Sequence, residues 1–180
     1  TAASGPVREG SVGGGTGMLC NGFKGGIGTA SRVVSAAGRL FTVGVLVQCN
    51  YNWEGKSLRL GDQWVSKKLP VGEHCYTDDT IAPKNPWFPF CSGAELIKDS
   101  PARDGSIIVV IATDAPVLPH QLKRVAKRPA LSLGRLGAIS SPGSGDIFVA
   151  FSTGNTGALS EDQFNRVEQF PNNALNELFR

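Results

Sequence analysis

Charge is scarce in this 180-residue sequence: Asp, Glu, Lys and Arg make up 18% of it, where about a quarter is usual. The 18 basic and 15 acidic residues leave a formal net charge of only +3. Five cations do fall close together (Lys123, Arg124, Lys127, Arg128 and Arg135), but no aromatic lies among them. A single-stranded nucleic-acid surface needs that interleaving, so the cluster reads as the solvated face of a helix and no nucleic-acid partner is expected. No apolar run approaches the ~18 residues that span a bilayer, and no membrane partner is expected. Cys20, Cys49, Cys75 and Cys91 form no Cys-x-x-Cys pair, and His74-Cys75 is the sole His/Cys adjacency. A zinc or thioredoxin-type site lacks its ligands, and no metal is expected. Cys75 and Cys91 flank a Trp/Pro-rich stretch, and an oxidising compartment would allow them to pair; buried free thiols are the expectation.

Glycine, by contrast, is abundant: 23 residues, twelve of them within residues 1–44. Together with 11 prolines this is rich in turns, yet it has no collagen period and stays below the range that marks disorder. Hydrophobic residues reach 41%, enough for one domain with a core. The phosphate-cradle templates fail on spacing. Gly-x-Gly-x-x-Gly is absent around 13–28, and Gly55-Lys56-Ser57 would need glycine where Asn50 stands. A Gly-x-Ser-x-Gly elbow is absent as well. The sequence opens on Thr1-Ala2-Ala3 without a basic-then-apolar leader and closes on a segment, Ala174 to Arg180, that reads as a helix cut off in progress. The expectation is a piece of a longer chain, with a cytoplasmic location favoured and periplasmic or secreted ones left open.

Periodicity places the elements. Arg39–Asn50 reads as a strand buried on both faces, with Phe41, Val43, Val45 and Val47 on one side and Leu40 and Leu46 on the other. Ser106–Thr113 is the strongest strand signal, and Asp146–Thr153 reads as another buried strand. A helix is expected from Pro119, suited to a first turn, to about Arg128. A second is expected from the Ser160/Gln163 capping pattern, turning Phe164, Val167 and Phe170 to the core before Pro171. Residues 51–105 hold all three Trp, both Tyr and five Pro, and read as a long irregular excursion. Helices and apolar strands in one unit make the expected class α/β.

One junction carries chemistry. In Arg103-Asp104-Gly105-Ser106, a Gly-Ser bond stands directly before the most apolar strand. Cleavage there would make Ser106 an N-terminus on a rigid support. An α-amine has a pKa of about 7.7–8.0, so it is partly neutral near pH 7 and can take the proton of its own hydroxyl. Nucleophile and base would then be one residue, with no metal or organic cofactor needed. The plainer reading of the dipeptide is an ordinary turn leading into a strand.

The order of several longer blocks separates the two readings. Val12-Gly13-Gly14-Gly15-Thr16-Gly17-Met18 is followed by Gly22-Phe23-Lys24-Gly25-Gly26-Ile27-Gly28-Thr29-Ala30-Ser31-Arg32, and then by Val43 to Tyr51. Gly105 to Leu122 and Ser144 to Thr153 come next. In this order they resemble the DmpA-type family of L-aminopeptidase/D-amidase/D-esterases and β-aminopeptidases, self-processing hydrolases of peptidase family S58 with an N-terminal serine. The resemblance implies an αββα-type layered sandwich like that of the ornithine acetyltransferases. Residues 1–180 would be one partial hydrolase domain, with 1–105 ending an α chain and 106–180 beginning a β chain. It implies Ser106 as nucleophile released by self-cleavage after Gly105, and Asn50 as oxyanion donor. Ser144 would orient Ser106 or relay protons, and Asp146 would hold an α-ammonium group. Read by themselves, Asn50 is equally a turn cap, Ser144 a loop residue and Asp146 half of an ion pair; Lys24 is structural or at the substrate edge. Implied substrates are short peptides, amino-acid amides or esters, and the implied assembly is a homo-oligomer of cleaved αβ units. The alternatives are an acyltransferase resembling the ornithine acetyltransferases, which use Thr as nucleophile, or an uncleaved binding protein of the same fold. The family usually has a small residue where Cys49 stands and Gly where Asn52 stands, and the stretch from Trp53 to Ser100 looks longer than is usual.

Overall fold

The structure, a computed structural model, describes residues 5–52, 57–65, 68, 105–158 and 160–179. Its centre is a four-stranded sheet. Strand β3 (Gly26–Ala36) pairs antiparallel with β4 (Arg39–Asn50), β4 pairs antiparallel with β7 (Ser106–Thr113), and β7 pairs parallel with β8 (Ile147–Ser152). Two small hairpins flank it: β1 (Leu19–Cys20) with β2 (Phe23–Lys24), and β5 (Arg59–Leu60) with β6 (Gln63–Trp64). The parallel β7–β8 pair needs a crossover, supplied by α1 (Pro119–Ala126) and α2 (Arg128–Arg135). Helix α3 (Leu175–Phe179) follows a 3-10 turn at Asn172–Ala174.

The helices cover one face of the sheet. On β7 every second residue is buried (Ile107, Val109, Ile111 and Thr113) because side chains alternate across a strand. The three apolar ones pack with Cys49 and Val125, and with Val43, Val45, Val47, Leu133 and Phe148. A second cluster, Val34, Phe41, Val117, Phe170, Leu175 and Leu178, closes the hairpin end of that face, with Phe41 and Phe170 edge to face at 5.3 Å. Gln121, fully buried in α1, donates from Nε2 to Phe170 O (2.7 Å) and Asn172 Oδ1 (2.8 Å). Its Oε1 accepts from the Leu118 N–H at 3.2 Å, so its polar atoms are all used.

The strands expected at 39–50 and 106–113 have those bounds, and Pro119 opens α1 as expected. Four expectations are corrected. Strand β3 was hidden in glycine-dense sequence, where two glycines and several exposed polar residues dilute the alternation. Neither β4 nor β8 is buried on both faces: Leu40 of β4 is exposed, as are Ile147, Val149 and Phe151 of β8, and with Val33 they form an apolar outer face that no described residue covers. The described residues thus supply one sheet and one helical layer of the expected sandwich. Residues 160–171 form no helix; Phe170 is buried, but Phe164 and Val167 are exposed. Asn155 there acts as a strand-like partner, accepting from Glu168 N at 2.8 Å and donating to Glu168 O at 3.0 Å, which holds the segment extended. Finally, Arg128 is not a purely solvated cation: its guanidinium lies over the Phe179 ring at 4.0 Å, while Lys123, Arg124, Lys127 and Arg135 are exposed.

The structure also joins Cys20 to Cys49, a disulfide that the spacing did not suggest. Closing a loop of sequence separation 29 stabilises the fold by about 3–4 kcal/mol in the chain-entropy account. Cys75, Cys91 and His74 lie outside the described residues, as does most of the excursion expected over 51–105.

Candidate active site

The topology brings three strand ends to one edge. Strands β7 and β8 are parallel and begin together, and β4 is antiparallel to β7 and ends beside them. Asn50, last in β4, is the direct partner of Ser106, first in β7. Opposed residues keep their Cβ atoms about 4.5–5.5 Å apart and on one face. Their neighbours Cys49 and Ile107 are buried under the helices, so Asn50 and Ser106 are carried on the opposite, outer face.

The turn ahead of β8 completes the constellation. Ser144 N donates to Ser141 O at 3.0 Å, which folds the Ser141–Ser144 loop back. Gly145 N then donates to Ser106 Oγ at 3.2 Å. Ser144 Oγ stands 3.1 Å from Gly105 O and 3.1 Å from Asp146 Oδ1. A hydroxyl carries one proton, so Ser144 donates to one of these acceptors at a time. All four side chains singled out in the sequence, Ser106, Asn50, Ser144 and Asp146, therefore meet at one edge, and all four are half-buried. Asp146 takes a hydroxyl hydrogen bond here instead of a cation, and Asn50 accepts from Leu19 N at 3.3 Å instead of capping a turn of its own. Lys24 is exposed on β2, where it pairs with Leu19.

Two neighbours of this edge were not legible beforehand. The backbone N–H of Gly145 has no sequence signature; a Cβ at this position would lie 3.0 Å from Ser106 Oγ. Tyr51 is the other. Its hydroxyl accepts from Asn21 Nδ2 at 3.4 Å. Burial raises its pKa above 10, the Asn21 hydrogen bond opposes this, and the nearby Asp146 charge adds to it. The phenol binds its proton more tightly folded than unfolded, so its contribution to stability is complete below about pH 10 and is lost as pH rises through the folded value. Melting temperature should fall more steeply above pH 10 in the parent than in Tyr51→Phe; equal slopes would remove Tyr51 as the cause.

Gly105 is packed tightly. A Cβ there would come within 2.5 Å of Tyr51 Cα and 2.8 Å of Asn50 O, both backbone atoms that cannot swing aside. Gly105→Ala should push the 105–106 bond away from Ser144, destabilising the fold by about 1–3 kcal/mol. A thermal melt that matches the parent would contradict this packing. Asn52 stands in the left-handed region at φ 55°, which asparagine tolerates where the resembled family usually has glycine.

A cavity of about 710 Å³ lies on the helix-covered face, lined by Val45, Val47, Val109, Leu133 and Phe179. It is apolar and faces away from Ser106 and Asn50, so the chemistry does not sit in it.

The structure resembles the L-aminopeptidase D-Ala-esterase/amidase of Ochrobactrum anthropi, described as a prototype for the serine aminopeptidases and a new variant among the Ntn hydrolase fold. The TM-score is 0.73 and the identity 40%, over 98% of this chain and 42% of that one. A Burkholderia β-aminopeptidase gives a TM-score of 0.70 at 39% identity, over 98% of this chain and 43% of that one. The fold is therefore of the Ntn hydrolase class. The family model for peptidase family S58 matches residues 1–180, and the chain belongs to that family. Among sequences, it is 50% identical over 184 residues to the β-peptidyl aminopeptidase BapA of Sphingosinicella microcystinivorans, covering 99% of this chain and 43% of that protein. The chain thus spans about two fifths of the length of these relatives.

Proposed function

We propose that the full-length protein is a self-processing aminopeptidase/amidase with Ser106 as its nucleophile. The observation that carries this reading is the placement of Ser144 Oγ 3.1 Å from the carbonyl oxygen of Gly105, the bond to be cut. Ser106 Oγ attacks the Gly105 carbonyl carbon, and negative charge builds on that oxygen. The Ser144 proton, shared between Asp146 and Gly105 O, moves toward the oxygen as its charge grows. That interaction strengthens in the transition state and so lowers the barrier. The C–N bond then breaks, the hydroxyl proton ends on Ser106 N, and an ester joins Gly105 to Ser106 Oγ. Water hydrolyses the ester, leaving a carboxylate on Gly105 and a free amine and hydroxyl on Ser106.

In the cleaved enzyme the neutral α-amine of Ser106 takes its hydroxyl proton as the Oγ attacks a substrate acyl group. The Gly145 N–H holds the Oγ in place, the Asn50 amide donates to the oxyanion, and Asp146 holds an α-ammonium group. Short peptides, amino-acid amides and esters with a free amino terminus fit this chemistry. The β-peptidyl and L-aminopeptidase activities named for the relatives point the same way. The assembly that goes with this reading is a homo-oligomer of cleaved αβ units. The reading is tested by Ser144→Ala: accumulation of uncleaved chain at least tenfold slower to process is expected, and processing at the parent rate would overturn the assignment.

A further inference from the structure

We propose that the Cys20–Cys49 disulfide is a positioning clamp that presents the Asn50 amide to Ser106, so that turnover depends on the oxidation state of this pair. The inference rests on the nucleophile reading above and adds a residue set to it. Cys49 directly precedes Asn50 in β4, and alternation puts the sulfur on the helix face and the amide on the outer face. Across from them runs the segment Leu19 to Asn21. Leu19 N donates to Asn50 Oδ1 at 3.3 Å, Cys20 is bonded to Cys49, and Asn21 N donates to Tyr51 O at 2.9 Å. Asn52 Nδ2 donates to Asn21 Oδ1 at 2.7 Å.

A carboxamide has one accepting end and one donating end. With Leu19 N–H on Oδ1, the donating Nδ2 end is the one left to serve an oxyanion at Ser106. The Leu19 contact is long, and β1 is a strand of two residues, too short to hold itself against β4. The covalent bond one residue away keeps the two segments together and so keeps the amide in this orientation. A dithiol reductant delivers two electrons and two protons, breaks the S–S bond into two thiols and ends as its own cyclic disulfide. Leu19 then draws away, and the Asn50 amide is free to turn its oxygen toward the site.

The test uses the full-length protein with every cysteine other than Cys20 and Cys49, Cys75 and Cys91 included, replaced by serine, so that only one pair responds. Reduction with dithiothreitol is verified by alkylation and intact mass, hydrolysis of an amino-acid p-nitroanilide is followed, and hydrogen exchange is read at Leu19. On reduction kcat should fall about tenfold with KM within twofold, recover on reoxidation, and Leu19 should exchange faster. Cys49→Ala should show the reduced kcat and ignore the reductant. Unchanged kcat after verified reduction, or equal changes in kcat and KM, would overturn the clamp. The same exchange measurement on Ser106→Ala separates the two readings. Faster Leu19 exchange on reduction supports the clamp and unchanged exchange overturns it, while hydrolysis surviving in that variant defeats the nucleophile assignment alone.

Discussion

Ser106→Ala should leave the protein as one uncut chain and remove hydrolysis of peptides, amides and esters together. In the proposed mechanism the two losses share a cause, because one oxygen performs both attacks: on Gly105 in the precursor and on the substrate acyl group afterwards. Its surroundings are built for that atom. The Gly145 N–H meets it at 3.2 Å, and the bond to be cut is held against β4 with no room for a side chain at Gly105. Removing a nucleophile from such a constellation costs a factor on the order of 10⁴ or more, since the remaining groups only bind and polarise. The fold should survive, because Ser106 is half-buried and its alanine fits the same strand register. Thermal melting within a few degrees of the parent, with a single chain by mass and no turnover, is the expected set of results.

The second large effect is at Asn50. Its amide faces Ser106 across the β4–β7 pair, and its oxygen is occupied by Leu19 N–H. An oxyanion forms only as the substrate carbonyl is attacked, so a donor aimed there acts on kcat much more than on KM. Asn50→Ala should lower kcat by about 10²–10³, or about 3–4 kcal/mol, with KM changed by less than about threefold. Asn50→Asp keeps the acceptor for Leu19 and loses the donor, and should be as slow as the alanine variant. Parent-like kinetics in either variant would take Asn50 out of the oxyanion role.

The parts of this site that could be read in the sequence are those set by local pattern. Ser106–Thr113 declares itself by its run of β-branched residues and Arg39–Asn50 by apolar residues on alternating faces, and their bounds follow from the Gly105 and Asn50 punctuation. Family resemblance, rather than pattern, singled out Ser144 and Asp146, and the topology explains why residues 38 and 40 positions after Ser106 return to it: parallel strands start at the same end. The illegible parts are non-local. Whether β8 is covered depends on what packs on its outer face, which its own apolar residues cannot say. Residues 160–170 carry a helix-start signal, yet Asn155 pairs with Glu168 and an ion pair joins Arg39 to Glu168, so tertiary contacts override the local preference. Cys20 and Cys49 are brought together by the glycine-dense segment turning back on β4, a path that spacing does not encode.

The central claim is that the bond between Gly105 and Ser106 is cut by Ser106 itself. Intact mass of the purified full-length protein tests it most directly. Two chains are predicted, the second beginning at Ser106, with only one chain in Ser106→Ala. A single uncut chain with full peptidase activity would contradict the account.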